Sequence, residues 1–316
     1  MRIGVTGGSG FIGAHVVRRL AESGHTVYAL DTVAPSRPDP RARFRWLDVL
    51  DPAAVLDASS DLEVIFHLAG MSNVDVAQHD PLRTVRLNVD GTAHVLEAVR
   101  VHGLRRMVFA STVWVYGAAC DISGGTEPLT EAAPMVLAKA GHIYTSTKIA
   151  AEMLIHSYAE TYEVPFTILR YGVPYGPGMR DELVLARFVR KALAGEPLTI
   201  AGDGKQFRNY VFVEDLADAH ALVLDEAAEN QVIALEGNER VSVLDMAEAV
   251  QARFPGTTID HVPARPGDFR GIDVSNALAR KLVGWRPTTS FQDGVRRYVE
   301  WYLAEHPDTA AAPGNG

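Results

Sequence analysis

Through the first half of the chain, short apolar runs bounded by Gly or Asp alternate with longer stretches whose apolar positions recur every three to four residues. The runs predict strands at 2–6, 26–31, 44–47, 63–68, 106–111 and 166–170. The amphipathic stretches predict helices at 11–23, 80–101 and 139–162, with a shorter one near 52–58. Strands of this kind, joined by connections long enough for crossovers, call for an α/β fold with a parallel sheet covered on both faces. After Tyr171 the texture changes: Pro174, Gly176, Pro177 and Gly178 break the chain. Helices are then predicted at 181–194, 214–226, 243–253, 275–282 and 291–304, with loops at 195–209 and 263–271. A domain boundary is expected near residue 172, and the small side chains of 308–316 read as a frayed tail.

Composition narrows this picture. The length of 316 residues fits two domains at roughly 150 residues each. With 30 basic against 39 acidic side chains the net charge is −9, which argues against a nucleic-acid partner. The single cysteine, Cys120, offers neither an internal disulfide nor a Cys-rich metal site, so no metal is expected and a reducing cytoplasm is the default compartment. No apolar run is long enough to span a membrane. Arg2 to Thr6 already reads as a strand, leaving no room for a signal peptide.

The candidate chemistry begins at Thr6-Gly7-Gly8-Ser9-Gly10-Phe11-Ile12-Gly13, directly after a predicted strand and opening a helix. Glycines there allow a tight turn, close approach of backbone N–H groups to a pyrophosphate, and close packing of helix on sheet. The second predicted strand ends in Asp31, whose carboxylate suits the ribose hydroxyls of NAD and would repel the 2′-phosphate of NADP. A turn cap is the lesser alternative for Asp31, and Arg37 is near in sequence. Asp48 follows the third strand within reach of an adenine amino group. Leu68-Ala69-Gly70 closes the fourth strand with little bulk.

Tyr144 and Lys148 lie four apart on a predicted helix and share a face. A nearby ammonium and a cationic nicotinamide both favour the phenolate, which could take a proton from a sugar hydroxyl as hydride leaves. Ser111 and Thr112 end the strand before it, on the sheet edge where ligands of doubly wound folds bind, and a hydroxyl there can orient the reacting oxygen.

In this order the segments resemble the extended short-chain dehydrogenase/reductase family, specifically its nucleotide-sugar epimerases and dehydratases. Beyond the glycine loop and Tyr144-Thr-Ser-Thr-Lys148, the resemblance rests on His67-Leu-Ala-Gly70, Asn88-Val-Asp-Gly-Thr92, Ser111-Thr-Val-Trp-Val-Tyr-Gly117, Leu169 to Pro177, Gly202 to Tyr210, Val213-Glu-Asp215 and Arg265-Pro-Gly-Asp268. It implies a Rossmann-type NAD-binding domain over 1–171 and a smaller mixed α/β nucleotide-sugar domain over 172–307, with chain exchange between them. Thr112, Tyr144 and Lys148 would be catalytic. Cofactor contacts would come from Gly7, Gly10, Phe11, Ile12, Gly13, Asp31, Asp48 and Val49 on one side. Leu68, Ala69, Gly70, Asn88, Ser111, Tyr144, Lys148, Tyr171 and Val173 would supply the remainder. Substrate would meet Thr112, Tyr144, Arg208, Arg265 and Asp268, the guanidinium groups suiting a diphosphate.

Two departures bear on the reaction. Family dehydratases carry Asp-Glu after the catalytic hydroxyl, and the decarboxylases that resemble this family usually carry Glu at the second place. Here those places are Val113 and Trp114, neither able to transfer a proton. The sugar segment reads Arg170-Tyr171-Gly172-Val173, without the family's usual Asn, and Arg208-Asn209-Tyr210 replaces Arg-Asp-Tyr. Arg180 is a further candidate near the expected cleft, for which a solvated arginine starting a helix is the stronger reading. The expectation is an NAD-dependent 4-epimerase of a UDP- or dTDP-hexose; a 4-ketoreductase and a non-catalytic NAD-binding regulatory protein stay open. Family members commonly dimerise through paired helices. Leu87, His94, Val95, Val101, Met153, Leu154 and Ile155 offer more apolar surface than one sheet face needs, so a homodimer is expected.

Overall fold

The structure is a computed structural model and describes residues 1–117, 128–137, 140–264, 271 and 273–307. Its strands are β1 (Arg2–Thr6), β2 (Thr26–Asp31), β3 (Ala42–Trp46), β4 (Val64–His67), β5 (Arg106–Thr112), β6 (Phe166–Tyr171), β7 (Val173–Tyr175), β8 (Leu198–Ala201), β9 (Phe207–Phe212), β10 (Gln231–Leu235), β11 (Arg240–Ser242) and β12 (Ile259–Val262). The chain forms two compact units. The first comprises Met1–Tyr171, Leu216–Leu235 and Val274–Arg286; the second comprises Gly172–Asp215, Glu236–Asp273 and Pro287–Gly316.

The first unit is built on a seven-stranded sheet in the order β10-β6-β5-β4-β1-β2-β3, every neighbouring pair parallel. The order runs outward in both directions from β1 and β4, so the switch point lies between them, and a ligand crevice opens beyond their carboxyl ends. β4, β5 and β6 are buried along their whole length, which is why they read as unbroken apolar runs. On one face Leu30, Val55, Ile65, Leu96, Met107, Phe109, Ile155 and Ile168 form the core with the helices Pro52–Ser59, Gly91–His102 and Ile143–Tyr162.

Two features of this unit differ from the sequence pattern. The strand β10 was not predicted; it pairs with β6 through residues 64 positions further along, as in Gln231↔Thr167. The expected helix 80–101 is three pieces: Pro81–Val85, a π turn at Arg86–Asp90, and Gly91–His102. A π turn inserts one residue without changing the local hydrophobic spacing much, so periodicity does not reveal it. It turns Asn88 inward, where that side chain is 1 % exposed.

The second unit holds a three-stranded sheet, β11-β9-β7, and a two-stranded one, β12-β8, so the expected loop at 195–209 contains β8 and the start of β9. Tyr175, Tyr210, Phe212 and Phe291 pack ring against ring in its interior. Gly294 is required there: a Cβ would fall 2.0 Å from the Tyr175 hydroxyl. The expected tail at 308–316 lies outside the described residues.

Candidate active site

The glycine loop fits a pyrophosphate cradle by its own geometry. Gly7 has φ +69, and a Cβ on it would lie 2.8 Å from the Ala69 nitrogen, so β1 and β4 deliver their loops into contact. At Gly13 a Cβ would meet the Gly7 carbonyl oxygen at 2.0 Å; the helix Phe11–Glu22 can approach the loop only without a side chain there. Gly10 caps that helix without a side-chain hydrogen bond, leaving its first N–H groups suited to an anion. The Asp31 carboxylate accepts from Ser9 N at 3.1 Å and Val33 N at 3.3 Å, so it closes the loop as well as facing the crevice end of β2. Asp48 accepts from Leu50 N at 2.9 Å in a turn, and Val49 is buried. These residues would hold the adenosine and diphosphate of a dinucleotide.

Behind the loops runs a buried chain of hydrogen bonds whose direction can be assigned. Thr92 donates its hydroxyl proton to the Asn88 carbonyl at 2.7 Å, so at 3.2 Å it can only accept from His67 Nε2–H. Nδ1 of His67 therefore accepts from the Thr6 hydroxyl at 2.8 Å, and Thr6 in turn accepts from Ala69 N. The imidazole is neutral, and burial together with nearby Lys148 pulls its pKa down to about 3. The Asn88 side chain accepts from Met71 N and donates to Met71 O and the Thr147 hydroxyl. It thus ties the β4 loop to the helix that carries Tyr144. His67, Thr92 and Thr147 were not among the site residues expected from sequence; they stood only inside the segments that carry the family resemblance, with His67 also a polar residue ending a fully apolar strand.

Gly70, Asn88 and Lys148 come together as expected for a common site: a Cβ on Gly70 would sit 2.7 Å from Asn88 Oδ1 and 3.9 Å from Lys148 Nζ. Lys148 donates to the Ala110 carbonyl at 2.7 Å and lies over the Phe109 ring. Burial draws its ammonium down to about 8, with Glu152 opposing. Tyr144 sits one turn before it, in the first turn of the helix Ile143–Tyr162. Thr112 caps the following 3-10 turn, Val113–Tyr116, by accepting from Trp114 N. Register places Thr112 beside Tyr171.

Two expected contact residues have their hydroxyls engaged elsewhere. Ser111 donates to Glu152, and Tyr171 donates to His220 Nε2 at 2.6 Å, while His220 Nδ1 donates to the Leu216 carbonyl. Glu152, fully buried, also binds Arg170 through Nε at 3.1 Å and Nη2 at 2.6 Å. Arg208 and Val173 belong to the second unit, where Arg208 donates to the Phe207 carbonyl at 2.6 Å. Arg180 is exposed. Arg265 and Asp268 lie outside the described residues.

The two buried neutral histidines predict acid sensitivity. Burial lowers His67 to about 3 and His220 to about 4, from an ordinary value of 6.5. The unfolded chain binds the extra protons, so this stability is complete above pH 6.5 and is lost as pH falls toward the folded values. Near pH 5 the pair should steepen the loss to about 2.7 kcal/mol per pH unit. Urea unfolding at stepped pH measures it, and equal stability at pH 7 and pH 5 would refute it.

A model of the NAD-dependent epimerase/dehydratase family matches residues 3–235. A probable UDP-glucuronate 4-epimerase of Rhizobium meliloti is 30% identical, over 96% of this chain and 97% of that protein. A trifunctional Arabidopsis thaliana protein is 31% identical over 96% of this chain. It is named for UDP-glucose 4,6-dehydratase, UDP-4-keto-6-deoxy-D-glucose 3,5-epimerase and UDP-4-keto-L-rhamnose-reductase activities, and this chain spans only 47% of its length. The crystal structure of UDP-glucuronic acid 4-epimerase from Bacillus cereus, in complex with UDP-glucuronic acid and NAD, superposes with a TM-score of 0.85 at 26% identity, covering 97% of this chain and 100% of that one. By sequence match and by fold, the chain belongs to the NAD-dependent epimerase/dehydratase family of extended short-chain dehydrogenase/reductase type.

Proposed function

We propose that the chain is an NAD-dependent 4-epimerase of a UDP- or dTDP-hexose. The observation that carries this reading is the 3-10 turn after Thr112. Its first two residues are Val113 and Trp114, where elimination of water would need an acid and a base, while Thr112, Tyr144 and Lys148 are all present. Such a site has what hydride and proton exchange at one carbon requires, and no more at those two places. NAD, when bound, supplies the hydride acceptor and donor. Tyr144 takes the proton of the C4 hydroxyl, Thr112 orients that oxygen, and the Lys148 ammonium favours the phenolate. Asn88 ties the helix to the β4 loop and Lys148 ties it to the end of β5, and Arg208 supplies a guanidinium for the diphosphate.

The direct test is incubation with a panel of UDP-, dTDP- and GDP-sugars and chromatographic detection of the epimer. Turnover without added nicotinamide and without net change in nicotinamide absorbance supports the epimerase. Stoichiometric consumption of NAD(P)H with a 4-keto sugar would instead identify a ketoreductase.

Cofactor preference follows from Asp31. The wild type should bind NAD(H) in preference to NADP(H), and Asp31→Ala should narrow that preference by about tenfold, the equivalent of ~1.4 kcal/mol of charge repulsion. Fluorescence titration with both dinucleotides checks this; tighter binding of NADP(H) by the wild type would contradict it.

A homodimer is proposed on the surface left by the helices. Val95 and Ile155 are spent in the core, but Leu82, Val101, Met153 and Tyr162 are exposed on neighbouring helices, Leu82 to 76% and Met153 to 60%. Covering such a patch with its twofold copy removes it from water. Light scattering should return twice the mass of one chain, and the mass of a single chain would reject the pairing.

A further inference from the structure

The helix carrying Tyr144 opens in an unusual way. Its N-cap is His142, in extended backbone conformation, and the acceptor is the ring: Nδ1 takes the Thr145 N–H at 3.3 Å and lies 3.0 Å from the Thr145 hydroxyl. The His142 carbonyl accepts from Ser146 N. Asn, Asp, Ser and Thr ordinarily do this work, with a side-chain oxygen that accepts at any neutral pH. An imidazole accepts at Nδ1 only while that nitrogen carries its lone pair, so the neutral ring must hold its proton on Nε2. The same ring stands between two others, 6.2 Å from Trp114 and 6.0 Å from Tyr144.

We propose that His142 is a positioning residue for Tyr144: a helix cap that holds in the neutral form of its imidazole and lets go in the protonated form, so that acid slows the enzyme by loosening the turn that carries its base. This rests on the epimerase reading for its kinetic half only. Protonation acts twice in the same direction. It converts the Nδ1 acceptor into a donor facing the Thr145 N–H, and it places a cation at the positive end of the helix dipole. Among the described residues, the titratable group packed against the ring is Tyr144; the next charged side chains on the Tyr144 face of its helix, Lys148 and Glu152, have partners of their own. Ala110 engages Lys148, and Ser111 and Arg170 engage Glu152. Trp114, from the 3-10 turn, brings no charge. Partial burial shifts the imidazole in the direction that keeps the cap formed at neutral pH.

The experiment compares wild type with His142→Asn and His142→Ser, which cap without titrating, and with His142→Ala, which does not cap. Two readouts are used: amide exchange of residues 143–146, corrected for its intrinsic pH dependence, and the pH profile of kcat and KM. In the wild type, protection of the first turn and kcat should fall together below pH 6.5, with KM moving less. His142→Asn and His142→Ser should remain within about threefold of the wild-type kcat at pH 8 and lose the acid step in both readouts. His142→Ala should be about fivefold slower at pH 8, in keeping with the loss of one cap. An unchanged acid step in both capping variants overturns the proposal, as does an Ala variant with wild-type protection and kcat. Exchange needs no substrate, so a panel in which no nucleotide sugar reacts would refute the epimerase and still leave the cap decided.

Discussion

Tyr144→Phe is expected to lower kcat by about 10²–10⁴-fold while nucleotide-sugar affinity changes only a few-fold. The substitution removes one hydroxyl and almost no volume. The helix that carries residue 144 keeps its other supports: Thr147 still binds Asn88, and Lys148 still binds Ala110. Binding measured by calorimetry and turnover measured on the same preparation should therefore separate. Activity near the wild-type level would show that some other group moves the proton, and the assignment of Tyr144 would fall with it.

Arg170→Met is expected to destabilise the fold by about 3–5 kcal/mol, the largest single loss foreseen away from the reacting groups. Arg170 and Glu152 are 3% and 0% exposed at their side chains, and they meet through two hydrogen bonds in the interior. The ring of Tyr116 lies beneath the guanidinium. Removing the cation leaves a carboxylate with the Ser111 hydroxyl and no hydrogen-bonded counter-charge, the Lys148 ammonium one helical turn away acting on it only at longer range. The double variant Arg170→Met/Glu152→Leu should recover most of the loss, because the cost lies in the orphaned charge and not in the absent pair. Urea midpoints for the two variants test this, and equal destabilisation in both would argue that packing around residue 170 is the real term.

The parts of this molecule that were legible in the sequence are those set by local chemistry. Strands β1, β2, β4, β5 and β6 declare themselves because a strand buried on both faces must be apolar throughout, and the glycine loop because Gly7 and Gly13 occupy positions where a Cβ has no room. Tyr144 and Lys148 share a face by helical spacing alone. What stayed hidden depends on distant chain. Gln231–Leu235 is an ordinary short apolar run until β6 is beside it. Thr6, His67 and Thr92 are polar residues with no declared role until the fold brings three separate segments to one line of hydrogen bonds, which ends on Asn88. Ser111 was placed correctly on its strand and Tyr171 extends the expected 166–170 strand by one residue, but sequence could not say that their hydroxyls would be claimed by Glu152 and His220.

The late arrival of β10 also bears on how the protein is made. All seven strands of the first sheet are synthesised in order except the last, which follows after some sixty further residues have left the ribosome. During that interval β6, buried throughout in the finished protein, is the bare rim of a sheet that already contains its glycine loop and Tyr144 turn. An apolar rim with unpaired backbone groups invites a neighbouring nascent chain to add itself as the missing strand. Premature termination after Tyr171 would therefore yield a fragment that keeps the glycine loop, Thr112, Tyr144 and Lys148, lacks Arg208, and aggregates, and the interval before Gln231 is the period in which a holding chaperone would matter most.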